Sequence, residues 1–214
     1  MATYVKHHCW SILLRLFHWM FALSIVFLVV TGFYINDPWT NTLIEGSASW
    51  PMAYMRYIHF IAAYVFSAAV AIRLFLYIFG NAQERIMDIL PVTRRNLNNL
   101  FMTLMQYSYI SDKHDERLGH NILAGLAYLF TFIAAIVMVI SGFYMLYPEA
   151  PFWEGWGLAL FGSQQFARYL HHILMWWFMI FAVIHIYLCI WNDVKQPEGL
   201  ISSIFTGAKF KHKA

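Results

Sequence analysis

Charge is what this 214-residue sequence lacks most: Lys, Arg, Asp and Glu make up 12% of it, against about 25% in an ordinary soluble domain. The formal net charge is only +3, which leaves no electrostatic footprint for nucleic acid. Cysteine is scarce too. Cys9 and Cys189 stand far apart, which excludes a disulfide framework, a C-x-x-C metal site and covalent C-x-x-C-H haem attachment. What the chain has in excess is apolar surface, with 61% hydrophobic and 19% aromatic residues. A soluble core of this length cannot hide that much, so the solvent is lipid, and disorder is excluded for the same reason.

Four continuous apolar runs follow: Leu16–Ile35, Tyr57–Phe79, Ile122–Tyr147 and Tyr169–Trp191. Each reaches the roughly 20 residues a helix needs to cross hydrocarbon, and their continuity predicts helices rather than alternating strands. The first run is too long for a removable signal, holds His18 and Trp19, and has no small-residue cleavage site after it. No Asp or Glu lies in any run, and Arg73 is the one full charge inside them. It sits late in the second run and is expected to snorkel to the nearer face.

Placing the N-terminus in the cytoplasm puts Lys6, Arg15, Arg85, Arg94, Arg95, Lys113, Arg117, Lys195, Lys209, Lys211 and Lys213 on that side, leaving Arg56 and Arg168 outside. That is the expected positive-inside bias. The outer loops carry Trp39, Trp50, Trp153 and Trp156, either as an interfacial belt or as a docking surface. In the inner loop, Leu97, Leu100, Phe101, Leu104 and Met105 follow helical spacing, predicting a short surface helix on the cytoplasmic leaflet.

Every span is entered through the same tetrad: Arg15-x-x-His18, Arg56-x-x-His59, Arg117-x-x-His120 and Arg168-x-x-His171. Arg and His three apart share a helix face. The fourth span adds His172 and His185. His185 lies 14 residues past His171, about 21 Å along the axis and roughly 40° short of four turns, so the two share a face. His172 points elsewhere. Alternating span direction brings His59 and His171 to one depth and His18 and His185 to another.

Two imidazoles from facing helices suit a six-coordinate haem iron, and without C-x-x-C-H the haem is non-covalent, b-type. Each Arg suits a haem propionate or a lipid headgroup. Gly32 in Thr31-Gly32-Phe33-Tyr34 and Gly142 in Ser141-Gly142-Phe143-Tyr144 let a flat macrocycle, or a neighbouring helix, approach. Zinc fits less well, because the histidines form two pairs rather than one four-ligand cluster. A proton-coupled transporter would need acids in the spans.

These residues resemble the cytochrome b subunit of membrane-bound nickel–iron hydrogenases, a relative of the gamma subunits of formate dehydrogenase and thiosulfate reductase. The likeness is carried by Arg15-Leu16-Phe17-His18-Trp19, Arg56-Tyr57-Ile58-His59-Phe60, Gly119-His120-Asn121, and Arg168 with His171, His172, Trp176, Phe181 and His185. The Leu200–Lys213 stretch adds to it, whereas Tyr169 stands where the family would place a small residue.

The resemblance implies an all-α integral membrane protein, with a single domain over 1–214 forming a four-helix bundle around two haems b. His59 and His171 would hold the outer haem, and His18 and His185 the inner one. It implies a periplasmic iron–sulfur small subunit with its own membrane helix, a large nickel–iron subunit, and delivery of electrons to a quinone (menaquinone or ubiquinone). His120 and Asn121 are the expected quinone contacts near the cytoplasmic side. The chain would be an electron-transfer subunit of the bacterial inner membrane, both ends cytoplasmic, with no catalytic residue beyond the quinone chemistry. The alternatives are the cytochrome b subunit of a formate dehydrogenase or of a thiosulfate or polysulfide reductase, and a haem-free transporter.

Overall fold

The computed structural model describes residues 4–40, 50–111, 119–195 and 198–212. Strand β1 (Tyr4–His8) leads into helix α1 (Ile12–Asn36), followed by α2 (Pro51–Phe79), α3 (Ile86–Ile89) and α4 (Arg94–Tyr107). Then come α5 (Ile122–Leu146), α6 (Pro151–Phe161), α7 (Gln164–Lys195), α8 (Leu200–Thr206) and strand β2 (Ala208–His212). Helices α1, α2, α5 and α7 are long and apolar enough to cross a membrane. They contain the four apolar runs except Tyr147, which lies one residue past α5, and α2 starts early, at Pro51, because proline's fixed φ suits a first helical turn.

Their surfaces are turned outward in the way lipid rewards. Val26 is 59% exposed and Val183 70%, while Ser24, Thr31, Thr131 and Ser141 are buried. Small and hydroxyl-bearing residues at helix contacts are what remains useful once apolar burial no longer drives association.

The chain forms two compact units. One lies within Phe17–Ala71 and Ile136–Phe178. In it, Phe21 stacks on Phe66 at 4.7 Å and meets Phe178 edge-on at 6.1 Å, so segments of α1, α2 and α7 share one aromatic core. Tyr144 of α5 stacks on Phe161 of α6 at 5.7 Å, with Ala167 completing the cluster. Gly157 is obligatory there, since a Cβ on it would lie 2.1 Å from the Tyr144 ring.

The other unit lies within Met1–Leu16, Ile72–Ala135 and Met179–Ala214. Strands β1 and β2 pair antiparallel, from Tyr4 opposite His212 to His8 opposite Ala208. The carbonyl of Gly207 accepts the amides of Cys9 at 2.9 Å and Trp10 at 3.0 Å. Gly207 has φ +80, a left-handed conformation glycine adopts without steric cost. Buried Glu84 accepts the Ser11 amide at 2.7 Å and the Asn81 amide at 3.1 Å, pinning the loop after α2 to the start of α1.

The expected surface helix is α4, and its faces are reversed from those of a soluble helix. Asn96, Asn99 and Thr103 are buried, while Leu97, Phe101 and Leu104 are exposed. The buried polar face has work: Asn99 Oδ1 accepts the Ile122 amide at 2.9 Å, and Asn96 Nδ2 donates to the Leu90 carbonyl at 2.7 Å. Arg73 departs from expectation. It does not reach outward but is 5% exposed, with its guanidinium 4.0 Å over the Tyr77 ring, since a cation–π contact partly replaces water for a buried cation.

Candidate functional site

His59 on α2 and His171 on α7 belong to one unit and lie close enough to interact electrostatically. Each is held by a hydroxyl from another helix. Thr31 Oγ1 of α1 lies 2.8 Å from His59 Nδ1, and Ser141 Oγ of α5 lies 2.8 Å from His171 Nδ1. The Thr31 hydroxyl donates to the Phe27 carbonyl at 2.6 Å and the Ser141 hydroxyl to the Met138 carbonyl at 3.1 Å. With those protons directed to carbonyls, each oxygen is placed to accept from Nδ1–H. That tautomer leaves Nε2 with its lone pair, the form an imidazole needs to ligate a metal.

The glycines next in sequence face the same rings. A Cβ on Gly32 would stand 3.6 Å from His59 Cε1, and one on Gly142 would stand 3.5 Å from His171 Cε1. These are ordinary contacts, unlike the clash at Gly157. Among the described residues, no neighbouring helix backbone is within 4 Å of either built Cβ. Two imidazoles, each with Nδ1 on a hydroxyl, fit the donor set of a haem iron.

His18 belongs to this same unit, half-buried, with its ring edge-on to Trp19 at 5.3 Å. His172 accepts from Trp176 Nε1 at 3.3 Å along its own helix. Arg56 lies exposed, 6.0 Å over the Phe60 ring, and Arg168 lies exposed with Gln165 Oε1 at 3.4 Å.

His185 lies in the second unit. Its Nδ1 is 3.4 Å from the Tyr128 hydroxyl and 3.8 Å from Cys189 Sγ, and its ring lies parallel to Phe181 at 5.7 Å. His120 stacks on Trp10 at 4.7 Å and meets Tyr128 edge-on at 4.8 Å. Tyr128 thus touches both histidines. Asn121 caps α5, its Oδ1 accepting the Ala124 amide at 2.7 Å, and its Nδ2 reaches the Tyr107 hydroxyl at 3.4 Å. Arg15 donates to the Phe205 carbonyl. Arg117 lies outside the described residues.

Sequence reading missed two parts of this region. Lys209, counted there only as a positive-inside marker, is 5% exposed and donates to the Gly119 carbonyl at 3.2 Å beside His120. Burial pushes its ammonium below the ordinary lysine value, with the Glu198 carboxylate opposing the shift. The hydroxyls of Thr31 and Ser141 were the other omission, although the repeated hydroxyl-Gly-Phe-Tyr tetrapeptide marked them.

Comparison with known proteins agrees with this reading of the spans. Residues 9–207 match the family model of prokaryotic cytochrome b561. Among the similar proteins is one from Cupriavidus necator named "Probable Ni/Fe-hydrogenase B-type cytochrome subunit", 34% identical over 96% of this chain and 86% of its own length. A protein of the same name from Azotobacter vinelandii is 34% identical over 91% of this chain and 84% of itself. The "Probable Ni/Fe-hydrogenase 1 B-type cytochrome subunit" of Escherichia coli K12 is 28% identical over 98% and 92%.

Proposed function

This chain belongs to the prokaryotic cytochrome b561 family, and on that premise we propose that it is the di-haem b membrane anchor of a nickel–iron hydrogenase, carrying electrons from the periplasmic iron–sulfur small subunit to the quinone pool. The observation that carries this is that His59 and His171, in one compact unit, each have Nδ1 2.8 Å from a hydroxyl of another helix. Haem b, when bound, supplies a one-electron iron couple within the lipid.

The protein's own residues do the rest. His59 and His171 hold the outer iron, and His18 and His185, one depth further in by the 14-residue spacing, hold the inner one. Gly32 and Gly142 leave room beside the outer ligands. Arg15, Arg56, Arg117 and Arg168 neutralise propionates. His120 and Asn121 bind the quinone, menaquinone or ubiquinone, near the cytoplasmic side. There a histidine can hand over the proton that quinone reduction consumes. Residues 1–214 act as one membrane cytochrome domain, which is not an enzyme without its partners.

The names of the similar proteins favour a hydrogenase over a formate dehydrogenase or thiosulfate reductase partner. Exposed Trp39, Trp50 and Trp156 suit docking of the small and large subunits. The Lys and Arg distribution supports an inner-membrane orientation with both ends cytoplasmic. The test is to purify the chain with its partners and reduce it with hydrogen. Two b-type haems per chain reduced by hydrogen, and reoxidised by added quinone, is the expected result. Absence of b-type bands overturns the haem reading, and a co-purifying molybdenum or tungsten protein overturns the hydrogenase assignment.

A further inference from the structure

The tetrapeptides Thr31-Gly32-Phe33-Tyr34 and Ser141-Gly142-Phe143-Tyr144 do the same job twice. Each hydroxyl oxygen lies 2.8 Å from the Nδ1 of a histidine on another helix, placed to accept its N–H. Each glycine faces that histidine's Cε1, at 3.6 and 3.5 Å from a built Cβ. Each tyrosine is buried, Tyr34 at 1% and Tyr144 at 5% exposure, fixing the turn of helix that carries the hydroxyl. α1 thereby serves the histidine of α2, and α5 serves that of α7.

We infer that Thr31 and Ser141 are positioning residues that lower the redox potential of the iron held by His59 and His171. The inference rests on the haem reading above. An oxygen accepting from Nδ1–H draws the proton outward and makes Nε2 a stronger donor. A stronger donor favours ferric over ferrous iron, which lowers the potential. The hydroxyls are well suited to this because their own protons go to backbone carbonyls, and a hydroxyl that donates becomes a better acceptor. Thr31 donates at 2.6 Å and Ser141 at 3.1 Å, so Thr31 has the larger effect. The same bonds lock ring orientation. Losing one weakens haem retention by about 10- to 100-fold, as for other partners of metal-bound histidines.

The test uses the membrane complex with Thr31→Val, Ser141→Ala and the conservative swaps Thr31→Ser and Ser141→Thr. Potentiometric titration and the ferric low-spin electron paramagnetic resonance spectrum are read for each b-haem. Thr31→Val and Ser141→Ala are expected to raise the midpoint of one and the same haem and to change its g-values, while Thr31→Ser and Ser141→Thr restore both. Unchanged midpoints and g-values in haem-loaded variants, or effects on two different haems, overturn this inference alone. If Thr31→Val fails to accumulate, the Ser141→Ala and Ser141→Thr pair decides by the same readings. A wild-type complex without b-type haem overturns the haem reading and this inference with it.

Discussion

His171 and His185 stand on the same helix, 14 residues apart, yet the protein holds them by different chemistry. His171 meets an aliphatic hydroxyl that also bonds a backbone carbonyl, an arrangement that favours donation from its Nδ1. His185 meets a phenol at 3.4 Å and a thiol at 3.8 Å, groups that donate or accept, so these contacts leave its tautomer open. Around His185 the packing is aromatic, with Phe181, Tyr128 and, across Tyr128, His120 and Trp10. The first environment favours one tautomer of its imidazole. The second surrounds its imidazole with a phenol, a thiol and aromatic rings, at the end of the path where quinone chemistry is proposed.

The largest way to break this contrast is to remove a ligand. On the proposed ligand pairs, His59→Ala or His171→Ala is expected to remove about half of the haem b. His172→Ala is expected to retain all of it, its ring being engaged with Trp176. A pyridine haemochrome assay per chain reads both, and haem loss in the His172 variant would contradict the geometry.

A second comparison sharpens the role of glycine within one unit. Gly157→Ala forces a Cβ to 2.1 Å from the Tyr144 ring and should destabilise by about 1–3 kcal/mol through overpacking. It would be seen as a lower Tm in detergent with haem content preserved in the folded fraction. Gly142→Ala meets only an ordinary contact at 3.5 Å and should stay within about 1 kcal/mol of wild type. Bulkier Gly142→Leu should lose haem before it loses fold.

Tyr128→Phe removes the phenol from His185 while keeping the ring contacts. It should slow quinone reduction and leave the His59–His171 haem spectrum unchanged, by stopped-flow reoxidation and by spectrum respectively. An altered spectrum at the His59–His171 haem would show that the two environments are not independent.

The smallest effect concerns Lys209. Burial makes the folded chain hold this proton less tightly than the unfolded chain. The unfolded state therefore binds more protons, and stability rises as pH climbs from the lowered folded value toward the ordinary 10.5. Protease clipping of β1 in detergent should slow over that range in the wild type and lose this slope in Lys209→Met.

The spans and their histidines were legible because lipid imposes a length and an apolar composition that nothing else in a sequence imitates. The angle between His171, His172 and His185 follows from helical pitch alone. Other parts depend on contacts between residues far apart. Tyr4–His8 carries little strand signal until it meets Ala208–His212. Helix α6 was hidden by Gly155 and Gly157, poor helix formers; Tyr144 needs the space at Gly157, whereas a Cβ at Gly155 would meet nothing within 4 Å. The burial of Arg73 depended on finding Tyr77 one turn later with Phe132 behind it at 5.0 Å. The hydroxyls of Thr31 and Ser141 stand in a visible repeat, but their histidine partners lie 28 and 30 residues away and only the fold pairs them.

The pairing of β1 with β2 has a topological consequence. Strands that exchange backbone hydrogen bonds cannot lie on opposite faces of a bilayer, so the polypeptide between them must cross an even number of times. The four long apolar helices satisfy that parity. A compartment-sensing reporter joined ahead of Tyr4 or after His212 should therefore give the same answer from both positions.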